Sequence, residues 1–365
     1  MTQRNQKTEG TGVDSKRETH TVNLSLTPMK MEALQTIANQ MVAPGKGILA
    51  ADESTGTCTK RFESVGLESH QQNRRLYRQM LLTTPGLENY IGGVILYEET
   101  LGQETDDGKP FVEVLQDKGI IPGIKVDMGT KDFDGCPGEK YTTGLEGLSE
   151  RLEKYYNMGA RFAKWRSVIV IDEALHLPTE KALHVNAEGL AKYALLCQNA
   201  GIVPIVEPET LINGTYSLDV AKAVSEKTWT KVFEQLKKHD VQLNGIILKP
   251  SMVIAGQDCP AQASVEEVAD ATIETLLKCV PKEVPGIAFL SGGQTPLQAT
   301  QNLQAMNSRH QHLPWRVTFS YGRALQQSAL DHFAKTEIKL GQDSLLHRSK
   351  LNGAASMGIY SKEEE

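Results

Sequence analysis

The chain has 365 residues, and its 39 Lys and Arg residues against 45 Asp and Glu give a formal charge of −6, which argues against a basic nucleic-acid-binding surface. Its apolar runs fall far short of the ~20 residues that a membrane-spanning helix needs, so we expect neither a nucleic-acid nor a membrane partner. The composition is that of an ordinary globular protein, and the length suits one large domain or two smaller ones.

The first 25 residues are polar and lack the apolar core of a secretory signal. They include Glu9, Asp14 and Glu18, which a transit peptide would tend to avoid. We therefore expect residues 1–25 to form a flexible N-terminal arm. The five cysteines are irregularly spaced and form no CxxC pair, which is typical of free thiols in a reducing compartment. A cytoplasmic location is the expectation.

Eight short apolar, β-branched runs follow along the chain, and each ends in polar or glycine-rich residues. They cover residues 47–51, 93–97, 122–126, 160–166, 203–207, 245–249, 286–290 and 315–320. Their starts lie roughly 30 to 45 residues apart, which is the size of a strand–helix unit with some additions. Helical periodicity is clear near 30–41 and between the runs, at 145–158, 186–199, 218–239 and 265–279.

Strands that read as continuous apolar runs and alternate with helices predict a parallel sheet covered on both faces. Eight such units favour an α/β fold of the (β/α)8 TIM-barrel type over residues 26–335, followed by a C-terminal segment over 336–365 that begins helical and ends frayed. An open doubly wound sheet is the alternative, although no GxGxxG fingerprint follows the first run.

Chemistry in such a barrel takes place at the carboxyl ends of the strands, and charged residues are concentrated there. They are Asp52 after the first strand, Lys125 and Asp127 at the third, Lys164 and Arg166 at the fourth, Glu207 and Glu209 at the fifth, and Lys249 at the sixth. Because burying so many charges is costly, they indicate a reaction centre. The alternative is a buried ion-pair network that only fastens the strand ends together.

Lys249 follows three apolar residues and precedes Pro250, so its stem is expected in an apolar wall. A lysine has an ordinary pKa of ~10.4, and a nucleophilic amine requires that value to fall. Burial and the positive charges of Lys125 and Lys164 would lower it. Glu207 or Glu209, on one face of their strand, could act as the general acid and base.

Two anion sites are predicted around this centre. One lies in the loops after the seventh and eighth strands, at Ser291, Gly292, Gly293, Ser320, Gly322 and Arg323, and the other at the start of the first helix, at Ser54, Thr57, Lys60 and Arg61. Two anion sites flanking a lysine predict a substrate that is a phosphorylated sugar. No histidine falls at a strand end, so we expect no metal ion.

Six motifs in this order make the sequence resemble the class I, metal-independent fructose-bisphosphate aldolases from about residue 26 to 360. They are APGKGILAADESTG at 43–56, FAKWR at 162–166, PIVEPE at 204–209, LKPSM at 248–252, FLSGGQ at 289–294 and FSYGRA at 319–324. The resemblance implies cleavage of fructose 1,6-bisphosphate to dihydroxyacetone phosphate and glyceraldehyde 3-phosphate without a cofactor. It also suggests a homotetramer.

The resemblance implies a role for each matching residue. Lys249 would form the Schiff base, Glu207 would be its acid and base, and Asp52 would take the proton of the substrate 4-hydroxyl. The residues around these three would be Lys125, Lys164, Arg166 and Glu209. One phosphate would be held by Ser291, Gly292, Ser320, Gly322 and Arg323, and the other would be lined by Ser54, Thr57 (for the usual serine) and Arg61, with Arg74 as a further substrate arginine. Many members end in a tyrosine that assists proton transfer to the enamine, and that tyrosine is missing after Tyr360.

Two other functions are compatible with the same barrel. One is a phosphosugar isomerase that uses a carboxylate base and forms no imine. The other is a scaffold protein that has lost catalysis. A covalent adduct formed by borohydride with dihydroxyacetone phosphate would distinguish the aldolase from both.

Overall fold

The computed structural model describes residues 1–2 and 27–365. The predicted flexible arm therefore lies outside the described residues, except for its first two. Within the described part, none of the helices is both long enough and apolar enough to cross a membrane.

The described residues contain ten strands, of which eight close into a barrel. They are β1 (Gly47–Ala51), β2 (Ile91–Leu96), β3 (Ile121–Lys125), β4 (Thr130–Asp132), β5 (Lys140–Thr142), β6 (Phe162–Ile169), β7 (Val203–Thr210), β8 (Ile247–Leu248), β9 (Gly286–Phe289) and β10 (Arg316–Tyr321). The barrel order is β1-β10-β9-β8-β7-β6-β3-β2, and every barrel pair is parallel. The predicted (β/α)8 fold is confirmed.

Twelve α-helices surround the barrel in the part of the chain that the structure describes. They are α1 (Pro28–Met41), α2 (Thr55–Glu63), α3 (Gln71–Leu82), α4 (Glu98–Leu101), α5 (Phe111–Asp117), α6 (Leu148–Asn157), α7 (Glu180–Asn199), α8 (Leu218–Lys238), α9 (Val265–Cys279), α10 (Pro296–Arg309), α11 (Arg323–Ala334) and α12 (Ile338–Ser356). Several begin at a hydroxyl that accepts a hydrogen bond from a free backbone N–H, such as Ser54 at α2, Thr179 at α7 and Ser264 at α9.

The structure differs from the sequence prediction at several element boundaries and by one additional hairpin; β8, for example, covers only Ile247–Leu248 of the predicted 245–249. The β6 and β7 strands continue past their predicted ends, because Ser167 and Val168 still pair with the partner strand. The α7 helix begins at Glu180 rather than near 186, since Thr179 caps it. The antiparallel β4–β5 hairpin was not predicted, because its residues are mostly exposed and show no apolar alternation.

The interior of the barrel is filled by side chains at its amino-terminal end. Phe162 is fully buried, and its ring occupies the space beside Gly93 and Gly123. A Cβ atom at Gly123 would lie 2.2 Å from that ring, so no larger residue fits there without a shift. The α1 helix contributes Leu34 and Met41 to the same cluster. The cavity that remains is therefore at the opposite, carboxyl end of the strands.

The C-terminal segment packs on the barrel rather than extending from it. Leu345, Leu351 and Tyr360 are buried in the same hydrophobic cluster as the barrel strands. The carboxylate of Glu365 accepts a hydrogen bond from Tyr360 Oη at 2.8 Å and pairs with the largely buried Arg348. Of the last five residues, which we expected to be frayed, Glu365 thus contacts Tyr360 and Arg348, whereas all five are exposed.

Candidate active site

A cavity of about 600 Å³ opens at the carboxyl ends of the barrel strands. It is lined by all of the site residues predicted from the sequence except Arg74 and Gly293. Arg74 instead donates two hydrogen bonds to the carboxylate of Glu99, at 2.8 and 2.7 Å. Gly293 has a φ of 85° and turns the chain beside the cavity wall. The closure of the barrel therefore brings together residues that lie far apart in sequence.

Lys249 follows the last residue of β8 and has a side chain that is 4% exposed. Its backbone N–H donates to the carbonyl of Val206 at 2.8 Å, which ties the end of β8 to β7. The next residue of β7 is Glu207, and its Oε1 lies 3.0 Å from Lys249 Nζ. The parallel pairing of two neighbouring strands thus places a buried carboxylate within proton-transfer distance of a buried amine.

Lys164 lies at the centre of the site, on β6. Its Nζ is 2.8 Å from Asp52 Oδ2, 3.3 Å from Glu207 Oε2 and 3.9 Å from Asp127 Oδ2. Burial alone would lower the pKa of Lys164, but these three carboxylates outweigh burial and raise that pKa well above its usual range. Lys164 is therefore a fixed cation at any physiological pH.

Asp52, at the end of β1, is the nearest carboxylate to that cation. Burial would raise the pKa of Asp52, yet the charges of Lys164, Lys249 and Lys125 lower it to about 2. Asp52 is consequently an anion at neutral pH, held at a defined position by the 2.8 Å contact with Lys164. An ionised and oriented carboxylate can accept a proton from a substrate hydroxyl.

The remaining charges form two further pairs. Lys125 Nζ donates to Asp127 Oδ1 at 2.6 Å, and Arg166 Nε pairs with Glu209 Oε2. Four cations (Lys125, Lys164, Arg166 and Lys249) thus face four carboxylates (Asp52, Asp127, Glu207 and Glu209). Each of these charges therefore has a partner of opposite sign, and none is left in the cavity as an unpaired ion, which would be the most costly arrangement.

This arrangement modifies the electrostatic picture predicted from sequence. We expected Lys125 and Lys164 to act directly on the amine of Lys249, but Glu207 bridges Lys249 and Lys164, and Lys125 pairs with Asp127. Asp127 was noted as a strand-end residue but was absent from the predicted site. The Lys-x-Asp spacing at the end of β3 was the available signal, since period two puts both residues on one face of an extended chain.

The predicted anion site after β9 and β10 has the features of a phosphate cradle. Gly292 has a φ of 49°, a conformation that glycine adopts readily. The Ser320 hydroxyl is buried, and its oxygen has no hydrogen-bond partner among the described residues. Arg323 opens α11, and no ion pair within the described part of the chain engages its guanidinium. These donors can be satisfied by a ligand anion.

At the second predicted anion site, Ser54 Oγ and Thr57 Oγ1 lie 3.2 Å apart at the start of α2. Arg61, one turn further along, is paired with Glu53 rather than free. Glu53 also binds Arg78 at 2.7 Å, so both arginines are anchored on one carboxylate. Glu53 directly follows Asp52 at the end of the first predicted strand, but the sequence analysis gave it no role in the site.

Across residues 27–365, no group of three or more His, Cys, Asp or Glu side chains is arranged to hold a metal ion. The carboxylates of the cavity are each paired with a lysine or arginine instead.

Comparisons with known proteins match almost the whole chain. Residues 33–365 match the family model for fructose-bisphosphate aldolase class-I. The chain is 50% identical over 337 residues to a probable fructose-bisphosphate aldolase class 1 of Xanthomonas axonopodis pv. citri, which covers 91% of this chain and 99% of that protein. It is 49% identical over 337 residues to the fructose-bisphosphate aldolase of Echinococcus multilocularis, with 92% of each covered.

The fold has a close counterpart among solved structures. The fructose-bisphosphate aldolase of Plasmodium falciparum, solved in complex with TRAP and a small-molecule inhibitor, superposes with a TM-score of 0.91 and 46% sequence identity. The superposition covers 92% of this chain and 97% of that one. Every residue that lines the cavity lies inside the segment matched by the family model.

Proposed function

Since the chain belongs to the class-I fructose-bisphosphate aldolase family and is by that membership a lyase, we propose that it uses Lys249 as a Schiff-base nucleophile. The reaction is the reversible cleavage of fructose 1,6-bisphosphate to dihydroxyacetone phosphate and glyceraldehyde 3-phosphate. The observation that carries the assignment to Lys249 is its buried amine, which lies 3.0 Å from the equally buried Glu207.

The first half of the reaction forms the imine. Glu207 takes a proton from the Lys249 ammonium, and the free amine attacks C2 of the ketose. The attacking nitrogen passes one of its protons to the former carbonyl oxygen, which gives the neutral carbinolamine. Glu207 then returns its proton to the carbinolamine hydroxyl, which leaves as water, and the protonated imine remains on Lys249. The contact of Lys164 Nζ with the other Glu207 oxygen, at 3.3 Å, keeps this carboxylate in place while its proton moves.

The second half breaks the carbon–carbon bond. Asp52 removes the proton of the 4-hydroxyl, the C4–O bond becomes a carbonyl, and the C3–C4 electron pair passes to the protonated imine. Glyceraldehyde 3-phosphate departs and an enamine remains on Lys249. Protonation at C3 and hydrolysis of the imine then release dihydroxyacetone phosphate. The imine serves as the electron sink, so the proposal requires neither a metal ion nor an organic cofactor.

Trapping of the imine tests this proposal. We expect sodium borohydride with dihydroxyacetone phosphate to attach one triose phosphate to each chain, on the peptide that contains Lys249. Omitting dihydroxyacetone phosphate should abolish the adduct, and excess EDTA should leave its yield unchanged. An unmodified chain, or modification of a different lysine, would contradict the mechanism; the first result is also what an isomerase with a carboxylate base would give.

Arg323 is expected to bind a substrate phosphate. Replacing it by Ala removes a charged donor from the cavity wall, and a hydrogen bond to a charged group contributes about 1.5–3 kcal/mol. We expect KM for fructose 1,6-bisphosphate to rise by about ten- to a hundredfold, since 1.4 kcal/mol corresponds to a factor of ten. Arg323→Lys keeps the charge but loses the bidentate fork, so its KM should be intermediate. Steady-state kinetics of the three proteins measure this, and an unchanged KM in Arg323→Ala would exclude the contact.

The cellular setting follows from the family alone. We propose a role in glycolysis or gluconeogenesis, a cytoplasmic location and a homotetrameric assembly. Relatives named as cytosolic in Arabidopsis thaliana, at 49% and 48% identity, support the location. Sedimentation of the purified chain would test the assembly.

A further inference from the structure

The seam between β1 and β10 stops short of the active-site mouth. In the described residues these strands are paired through Ile48 with Ser320 and Leu49 with Tyr321. Beyond that point the carbonyl of Ala50 accepts a hydrogen bond from Gln326 Nε2 at 2.6 Å. A Cβ atom on Gly322 would lie 3.3 Å from the same carbonyl, so the two chains remain in close approach there. The Gln326 side chain thus adds one hydrogen bond beyond the last paired residues of β1 and β10.

Gln326 is fully buried and lies one turn into α11, the helix that begins at Arg323. Its Oε1 accepts hydrogen bonds from Tyr77 Oη at 3.0 Å and from Arg61 Nη1 at 3.4 Å. One neutral amide therefore joins α11 to the end of β1, to α2 and to α3. Its donor and acceptor are both engaged with groups of other elements, which makes its position well determined.

Gln326 connects the two predicted anion sites. It accepts a hydrogen bond from Arg61, which lines the cavity from the last turn of α2, and it lies on α11, the helix whose first residue, Arg323, lines the cavity at the other site. Arg61 is also paired with Glu53, whose burial would raise its pKa but whose contacts with Arg78 and Arg61 lower it. Glu53 consequently stays ionised, and Arg61 is held in place by both Glu53 and Gln326.

We propose that Gln326 is a positioning residue that fixes the two phosphate-binding ends of the active site relative to each other. It does so by closing the β1–β10 seam at the mouth and by holding Arg61. Asp52 has its own contact with Lys164 at 2.8 Å, and Lys249 and Glu207 belong to strands on another side of the barrel. Loosening the seam therefore weakens substrate binding and spares the reacting groups.

The test is Gln326→Met, which keeps the side-chain length and removes all three hydrogen bonds. We expect KM for fructose 1,6-bisphosphate to rise by about tenfold or more, because small displacements of positioning groups are costly, while kcat stays within about threefold. The matched control is Gln198→Met. Gln198 is also fully buried and makes three hydrogen bonds, to the backbone of Gln242 and Gly245 outside the cavity lining. This control should lower the melting temperature and leave KM unchanged.

Gln326→Glu separates the contact with Ala50 from the contacts with Arg61 and Tyr77. It is also the alternative test if Gln326→Met does not fold. A carboxylate at this position can still accept from Arg61 and Tyr77, but the oxygen that replaces the amide nitrogen has no proton to donate to the Ala50 carbonyl while it is ionised. KM should rise in this variant as well, because the β1–β10 seam loses its last hydrogen bond. A folded Gln326 variant whose KM stays within about twofold of the parent would overturn the inference. The inference rests on the proposed function; a parent chain without cleavage activity would contradict that function instead.

Discussion

Lys249→Met should lose cleavage of fructose 1,6-bisphosphate by at least about 10⁴-fold, a loss typical of removing a catalytic nucleophile. Methionine has a similar length and is suited to a site where the side chain is 4% exposed. In the proposed mechanism this amine forms the imine, and no other lysine contacts Glu207 Oε1 in the described residues. Turnover is measured by coupling the release of triose phosphate to a reductase.

The fold of this variant should be retained, because Glu207 keeps Lys164 as a counter-ion at 3.3 Å. Circular dichroism and the melting temperature check this point, and borohydride should no longer attach dihydroxyacetone phosphate. Lys222→Met is the matched control, since Lys222 pairs with Glu274 on the outer helices and does not line the cavity. Residual activity of Lys249→Met above about 1% of the parent, in a sample free of contaminating enzyme, would assign the nucleophile to another residue.

Much of the fold could be predicted because it depends on local patterns. Apolar runs such as 47–51 and 203–207 form barrel strands, and glycine and hydroxyl residues mark the boundaries between elements. The order of these units implied a barrel, and the barrel in turn implied that Asp52, Lys164 and Lys249 share one end of it. The position of the reaction centre therefore followed from chain order and strand polarity.

Side-chain pairing could not be predicted in the same way, because it depends on distances across strands. Lys164 and Lys125 are equivalent in the sequence, each at the end of an apolar run and next to one another in the sheet. In the structure Lys164 contacts three carboxylates, whereas Lys125 is turned towards Asp127. Arg74 gives a second example: its pairing with Glu99 joins α3 to α4, and no spacing in the sequence indicates that contact.

Lys164→Met should destabilise the protein by about 3–5 kcal/mol at neutral pH, the cost of removing one partner from a buried ion pair. The variant leaves Asp52, Asp127 and Glu207 without their common cation. Activity should fall too, because Asp52 loses the contact that orients it. Urea unfolding of parent and variant measures the difference. Adding Asp52→Asn to Lys164→Met removes one of the unpaired carboxylates, so the double variant should recover part of the lost stability.

The pH dependence of the stability that Lys164→Met loses follows from the direction of the pKa shifts in the parent. In the parent, Lys164 has a raised pKa, so its contribution is complete below the ordinary lysine value of ~10.4 and constant through neutral pH. Asp52 has a pKa lowered to about 2, so its contribution persists above the ordinary value of ~3.9 and disappears only as pH falls through about 2. Without Lys164, only Lys249 and Lys125 oppose the effect of burial on Asp52, so its pKa should be higher than in the parent and its protonation relieves the unpaired charge. The deficit should therefore be smaller at about pH 4, near the ordinary aspartate value, than at about pH 7. A deficit that is equal at both pH values would mean that Lys164 stabilises the barrel through packing rather than through its charge.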